Sequence, residues 1–221
     1  TALRNVNALL RLSTNLINFE RADVYSSELR ISEYELNTYM NEICNSFRSY
    51  ANIKHIDFTY KSDFNYLNVW FDKDKMDSIL KNLISNALKY TPENGIVSVS
   101  ISETKDSWKL EVKDTGIGIP ANEQNKLLKM HFRGTNAINA KITGSGIGLK
   151  LVDKLVHLHS GKINIESVEQ QGTTITVVFP KGNKHFRHSN LIDPEKTGRQ
   201  EAVLDAPVIS EAAEKTNDEN L

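Results

Sequence analysis

Between Asp74 and Thr91, Met76, Ile79, Leu80, Leu83, Ile84, Ala87 and Leu88 recur at steps of three and four. That spacing puts all seven side chains on one side of an α-helix, so the segment is an amphipathic helix that has to cover another layer. Asp74 is placed to cap its start. Thr91-Pro92 stops it, because proline lacks the N–H and disfavours helical backbone in the residue before it. Asn82, Asn86 and Lys89, at steps of four and three, share the opposite face.

The layer to be covered is visible on both sides of this helix. Ile56/Phe58/Tyr60 and Leu67/Val69/Phe71 alternate before it. Val97/Val99/Ile101 and Trp108/Leu110/Val112 alternate after it, joined as a hairpin by the polar turn Glu103 to Ser107. Further strands are expected at Ile163/Ile165 and Ile175/Val177/Phe179. Ser32-Glu33-Tyr34-Glu35 reads as a capping box ahead of Leu36, Tyr39, Met40, Ile43, Cys44 and Phe47 at helical spacing. A short helix is expected near Ala121 to Lys129, then a long polar stretch from Arg133 to Thr143, then a helix from Leu149 to His159. Helices mixed with antiparallel strands predict an α+β layered sandwich, not an alternating doubly wound sheet.

The ends differ from this centre. Residues 3 to 20 carry Leu3, Val6, Leu9, Leu10, Leu12, Leu16, Ile17 and Phe19, an apolar face broader than one stripe that calls for more than one neighbour. Beyond Lys181 the periodicity stops. Residues 201 to 221 hold six acids against one lysine, so that segment reads as a linker or disordered tail. With 221 residues, 39% of them hydrophobic, the chain can bury a real core, and a net charge of -1 gives it no global pull toward nucleic acid. A single cysteine, Cys44, excludes an internal disulfide and a multi-cysteine metal site and fits a reducing compartment. No stretch approaches the ~18 apolar residues of a membrane span, and Thr1 opens no signal-peptide pattern, so a soluble excerpt of a longer protein is expected.

Three polar or glycine-rich stretches carry the chemistry. Gly144, Gly146 and Gly148 stand directly ahead of the helix from Leu149. Glycine lets another molecule approach the main chain, and a helix N-terminus adds unpaired N–H groups, so phosphate fits there; a simple helix-capping turn has the same look. A Walker loop and a dinucleotide fingerprint both fail, since neither spacing is met and Asn136 to Thr143 is unlike a strand. In "VKDTGIGIP", residues 112 to 120, a strand ends in Asp114, Gly116 and Gly118. A carboxylate there can accept from an exocyclic amine while a flat base lies against bare backbone, although an ordinary turn uses the same residues. In "KNLISNALKYTPENG", residues 81 to 95, the amide oxygens of Asn82 and Asn86 can ligate Mg²⁺ and Lys89 can neutralise phosphate; a solvated polar face is the alternative.

Taken in order, N-L-x-x-N-A-x-K-Y, D-T-G-I-G-I and G-S-G-I-G-L resemble the catalytic ATP-binding domain of sensor histidine kinases, within the wider superfamily of gyrase, MutL and heat-shock chaperone ATPases. The resemblance covers roughly residues 55 to 180 and closes with Gly172-Thr173-Thr174. It implies a Bergerat-type two-layer α/β sandwich, with helices on one face of a mixed sheet. It implies ATP and Mg²⁺ as ligands, with Asn86 the metal ligand and Asn82 supporting metal and phosphate. Lys89 then contacts phosphate, Tyr90 packs against adenine and Asp114 accepts from the adenine amine. Gly116 and Gly118 shape the base pocket, Gly144, Gly146 and Gly148 offer backbone to the phosphates, and Thr174 supports the Asp114 end through its hydroxyl. Arg133 and Lys141 become candidates for the γ-phosphate. The family's lid often begins F-x-x-F-x-R, whereas this chain has Leu128, His131, Phe132 and Arg133, a departure that bears on lid hinging and on Arg133.

The same resemblance divides the chain. Residues 1–22 correspond to the second helix of a dimerisation and phosphotransfer hairpin, and residues 23–54 to a connector and first helix. Residues 55–180 form the catalytic domain, and residues 181–221 a linker toward a receiver domain of a hybrid kinase. A homodimer in the full-length protein and a cytoplasmic position below a membrane anchor are implied, with no nucleic-acid contact. In the family the acceptor is a His followed by an acid. None of His55, His131, His157, His159, His185 or His188 has one, so the acceptor is expected outside this chain. His157 and His159, two apart on a helix, point to different faces and make a poor metal pair. Two rivals remain, a clamp ATPase of the same superfamily and a pseudokinase scaffold. The clamp needs a Glu base one turn before the metal-binding Asn, where this chain has Asn82.

Overall fold

The computed structural model describes residues 28–124, 126–127, 135 and 146–191. The helix expected at 3 to 20, most of the polar stretch with Arg133 and Lys141, Gly144, and the tail from residue 192 lie outside the described residues.

Strand β1 (Ile31–Glu35) runs straight into helix α1 (Leu36–Ile53), followed by β2 (Asp57–Ser62), β3 (Asn68–Asp72) and helix α2 (Lys73–Tyr90). The hairpin β4 (Ile96–Glu103) and β5 (Ser107–Asp114) comes next, then a single turn α3 (Ala121–Gln124), helix α4 (Gly148–Leu158), β6 (Lys162–Val168) and β7 (Gly172–Pro180). Five strands form one mixed sheet in the order β2-β4-β5-β7-β6, with β2 parallel to β4 and every other pair antiparallel. The α+β sandwich expected from the sequence is what forms.

Alternation explains how the layers stack. Val97, Val99, Ile101, Trp108, Leu110, Val112, Ile175, Val177 and Phe179 are buried, and the strand residues between them, all polar except Val178, are partly exposed. One face of the sheet is therefore apolar and carries the helices. Against it lies the stripe Met76, Ile79, Leu80, Leu83, Ile84, Ala87 and Leu88 of α2, all buried, flanked by α1 and by Leu151, Val152, Leu155 and Val156 of α4. Trp108 stacks on Phe179 with ring centroids 4.6 Å apart, joining adjacent strands in this core.

Two helix starts differ from the reading of the sequence. Ser32 to Glu35 do not form a capping box, because residues 31–35 pair antiparallel with Asn68–Asp72 and Ser32 sits opposite Phe71. Glu35 itself caps α1, its carboxylate accepting from the backbone N–H groups of Asn37 and Thr38 and also of Leu67. Likewise Asp72, not Asp74, caps α2, accepting from the Lys75 N–H at 3.1 Å and from the Lys75 ammonium at 2.9 Å. In both cases the strand pairing carries the chain to the helix, so the last strand residue becomes the cap.

The C-terminal segment returns to the same unit. Phe186 meets the edge of His159, and Leu191 bridges to Ile31. Among the described residues, no helix is long and apolar enough to cross a membrane.

Candidate functional site

Because the apolar stripe of α2 faces the sheet, its other side is left to look toward α4 and the glycine turns. Asn82 and Asn86 stand on that side, both half-buried. The Asn82 side-chain N–H₂ donates to the Ser78 carbonyl at 2.8 Å, one turn back. That leaves its Oδ1 facing the first residue of α4: a Cβ on Gly148 would stand 2.5 Å from Asn82 Oδ1 and 4.0 Å from Asn86 Nδ2. The two carboxamides and Gly148 thus converge, and among the described residues the Asn86 amide makes no hydrogen bond. Gly146, just ahead, has φ of 73°, a left-handed backbone that glycine adopts without strain. Further along α2, the Lys89 ammonium donates to the Tyr90 hydroxyl at 3.1 Å and lies 4.6 Å from that ring's centroid.

The second wall is the turn after β5. Asp114 is the last residue of that strand and is buried at 9% exposure. Its Oδ1 accepts from the Gly116 N–H at 2.8 Å and from the Thr173 N–H at 3.3 Å. Its Oδ2 has no partner among the described residues. Burial pushes its carboxyl up to about 6 against the pull of those two N–H groups. Gly116 presses on the end of α2, where a Cβ would come 2.5 Å from the Tyr90 carbonyl, and the next N–H, of Ile117, donates to that same carbonyl at 3.2 Å. Gly118 takes φ of 59°, and the Gln170 N–H holds the turn by donating to Ile117 O at 2.8 Å.

Asn82, Asn86, Lys89, Tyr90, Asp114, Gly116, Gly118, Gly146 and Gly148 therefore lie around α2 and the turns packed on it, while Arg133, Lys141 and Gly144 are outside the described residues. Thr174 differs from expectation. Asp114 pairs with Thr173 across the β5–β7 ladder, and Thr174 pairs with Lys113 on the other face of the sheet. Support of Asp114 comes from the Thr173 N–H, while the Thr173 hydroxyl pairs with Ser167 Oγ at 2.8 Å. The inward set Ile175, Val177 and Phe179, extended back by two, already points to Thr173.

Other residues had no signal in the sequence. The Glu123 carboxylate, buried in α3, accepts from both the N–H and the hydroxyl of Thr135 at 2.9 and 2.8 Å. Lys54 donates to carbonyls at the end of α2. His159 is buried beneath α4 while His157 stands exposed beside Asp153, so the two do point apart.

Helices on one face of a mixed sheet, with a buried acid and amide-bearing helix facing glycine turns, define a Bergerat-type ATP-binding sandwich. The chain belongs to the family described as histidine kinase-, DNA gyrase B- and HSP90-like ATPase, which matches residues 71–183. It is similar to the sensor histidine kinase WalK of Bacillus subtilis, 33% identical over 78% of this chain and 28% of that protein. Histidine kinase P4 of Formosa agariphila is 30% identical over 87% of this chain and 14% of its own length. Among solved structures, the catalytic domain of histidine kinase ThkA superposes with a TM-score of 0.61 at 27% identity, covering 69% of this chain and 99% of that one. The chain thus spans less than a third of either curated relative.

Proposed function

We propose that this chain is the ATP-binding catalytic segment of a sensor histidine kinase, passing the γ-phosphoryl group of ATP to a histidine that lies outside it. The observation that carries the reading is Asp114, a buried carboxylate whose Oδ2 has no partner among the described residues at the edge of a glycine turn. An orphaned buried acceptor costs stability unless a ligand's donor meets it, and the exocyclic amine of adenine is such a donor. Tyr90 supplies an apolar ring beside that turn, and Lys89 a cation one residue earlier. Asn82 and Asn86 fit a Mg²⁺ site, since their amide oxygens are hard donors four residues apart on one helix face. When bound, Mg²⁺ would neutralise charge on the phosphate oxygens. The chain's own part is to hold the nucleotide by Asp114, Tyr90 and the bare backbone at Gly116 and Gly118, and to present Lys89 and the N–H groups ahead of α4 to the phosphates. Arg133 and Lys141 are proposed to reach the γ-phosphate, with Gly144, Gly146 and Gly148 lending backbone.

Asn82 speaks against a clamp ATPase. An amide has no usable basicity for activating water, and its nitrogen is committed to Ser78 O. In the whole protein we propose a preceding dimerisation hairpin that carries the acceptor, a homodimer, a following receiver domain, and a cytoplasmic setting below a membrane anchor. The deciding experiment is calorimetric titration with a β,γ-imido ATP analogue, with and without Mg²⁺, beside a steady-state ATPase assay and an Asn86→Ala variant. Binding that weakens on loss of Mg²⁺ or of Asn86, with negligible turnover, is expected. Brisk hydrolysis would move the chain to the clamp ATPases, and absence of binding would leave a scaffold.

A further inference from the structure

The last four carbonyls of an α-helix have no N–H of their own helix waiting for them unless the chain turns back, and a buried helix end must find other donors. At the end of α2 the accounting is complete. Ala87 O takes the Thr91 N–H at 3.1 Å and the Thr91 hydroxyl at 2.7 Å. Tyr90 O takes the Ile117 N–H from the glycine turn. Between them, Leu88 O, Lys89 O and the following Thr91 O all face one group, the ammonium of Lys54, at 2.5, 3.5 and 3.3 Å. Lys54 is the residue directly after α1, where its own backbone N–H reaches back to Tyr50 O and Ala51 O. Its charge lies against the negative end of the α2 dipole, the favourable sense for a cation.

Resting on the nucleotide site proposed above, we infer that Lys54 is a positioning residue for that site. By holding the carbonyls of Leu88, Lys89 and Thr91 it sets the last turn of α2, which carries Lys89 and Tyr90 and receives the Gly116–Ile117 turn at the Tyr90 carbonyl. It touches no nucleotide itself. Its place, remote from every motif in the sequence, follows from α1 ending beside the end of α2. No other donor among the described residues reaches Leu88 O or Thr91 O, so its removal releases the end of the helix and lets the Gly116–Ile117 turn drift from Asp114 and Tyr90. Arginine can repeat the several-carbonyl grasp; methionine keeps the stem and loses every donor.

The test compares the 221-residue chain with Lys54→Met, Lys54→Gln and Lys54→Arg. The readouts are the dissociation constant of the β,γ-imido ATP analogue with Mg²⁺, well below the unfolding temperature, and the amide NMR signals of Gly116 and Ile117 without nucleotide. Expected are a rise of about tenfold for Lys54→Met, the size of losing charge-assisted hydrogen bonds, a smaller rise for Lys54→Gln, near-parent affinity for Lys54→Arg, and displaced Gly116 and Ile117 signals in the Met variant. Parent-like affinity and amide signals in Lys54→Met, whatever its melting temperature, would overturn the role. So would global unfolding of both Met and Gln variants, since Lys54 would then serve the whole fold and not the site. Absence of binding by the parent chain would refute the nucleotide reading instead, a separate result.

Discussion

Gly148 opens α4 so close to α2 that a methyl group on its Cα would stand 2.5 Å from the side-chain oxygen of Asn82. The obstacle is the far end of a side chain, which can turn away only by giving up its bond to Ser78 O. Alanine also favours helix over glycine by up to about 1 kcal/mol. Gly148→Ala is therefore expected to leave unfolding free energy within about 1 kcal/mol of the parent while weakening Mg²⁺-dependent nucleotide binding about tenfold. Urea unfolding and calorimetry on the same sample check this; unchanged binding would show that Asn82 is free to move without consequence.

Asp114 sets a pH dependence with a definite sign. Its carboxyl is raised from 3.8 to about 6 in the folded chain, so between those values the folded state holds a proton that the unfolded state has lost. Its contribution to stability therefore grows as pH falls through about 6 and levels off below about 4. Nucleotide binding should run the other way, weakening by up to tenfold per pH unit below about 6 as the acceptor is protonated. Asp114→Asn removes a buried charge, so it should be as stable as the parent or more so, by about 1–2 kcal/mol at pH 7.5. It should nevertheless lose the nucleotide, because an N–H₂ group then meets the amine. Retained affinity in that variant would remove Asp114 from the base pocket.

His159 has the opposite sign. Its Nε2 accepts from the Asp72 N–H at 3.1 Å, and its Nδ1 lies 2.8 Å from Leu155 O, which fixes the hydrogen on Nδ1 and leaves the ring neutral. Burial holds its pKa below the ordinary 6.5. Below that value the unfolded chain takes up a proton that the folded one refuses, and stability falls as pH drops. His159→Leu orphans the Asp72 N–H and should cost about 1–3 kcal/mol at pH 7.5, with a smaller further loss at pH 5 than the parent shows. Parallel urea curves at the two pH values for parent and variant would contradict the assignment.

Incubation of this chain with γ-labelled ATP and Mg²⁺ should leave it unlabelled, since no histidine in it is followed by an acid. Mass spectrometry finding phosphohistidine at any of its six histidines would show that the acceptor is here after all.

The α2 stripe, the β4–β5 hairpin and α4 were legible because each follows a local periodicity set by which side must be dry, and the Asn82, Asn86, Asp114 and glycine positions were legible because their types and spacing are local too. Thr174 came only from the resemblance, and since Thr173 and Thr174 are the same residue type, strand parity alone separates them, Thr173 being the one opposite Asp114. Asp72 as cap, the β1–β3 pair, the Thr173 N–H on Asp114, the His159 bond to Asp72 and the Lys54 clamp on α2 join residues 33 to 87 positions apart or rest on such pairings. Patterning along a chain determines which face of each helix and strand is buried, because burial is decided residue by residue against water. Which donor meets which carbonyl at a buried helix end is decided only when two elements are packed together, because those partners have no sequence spacing in common.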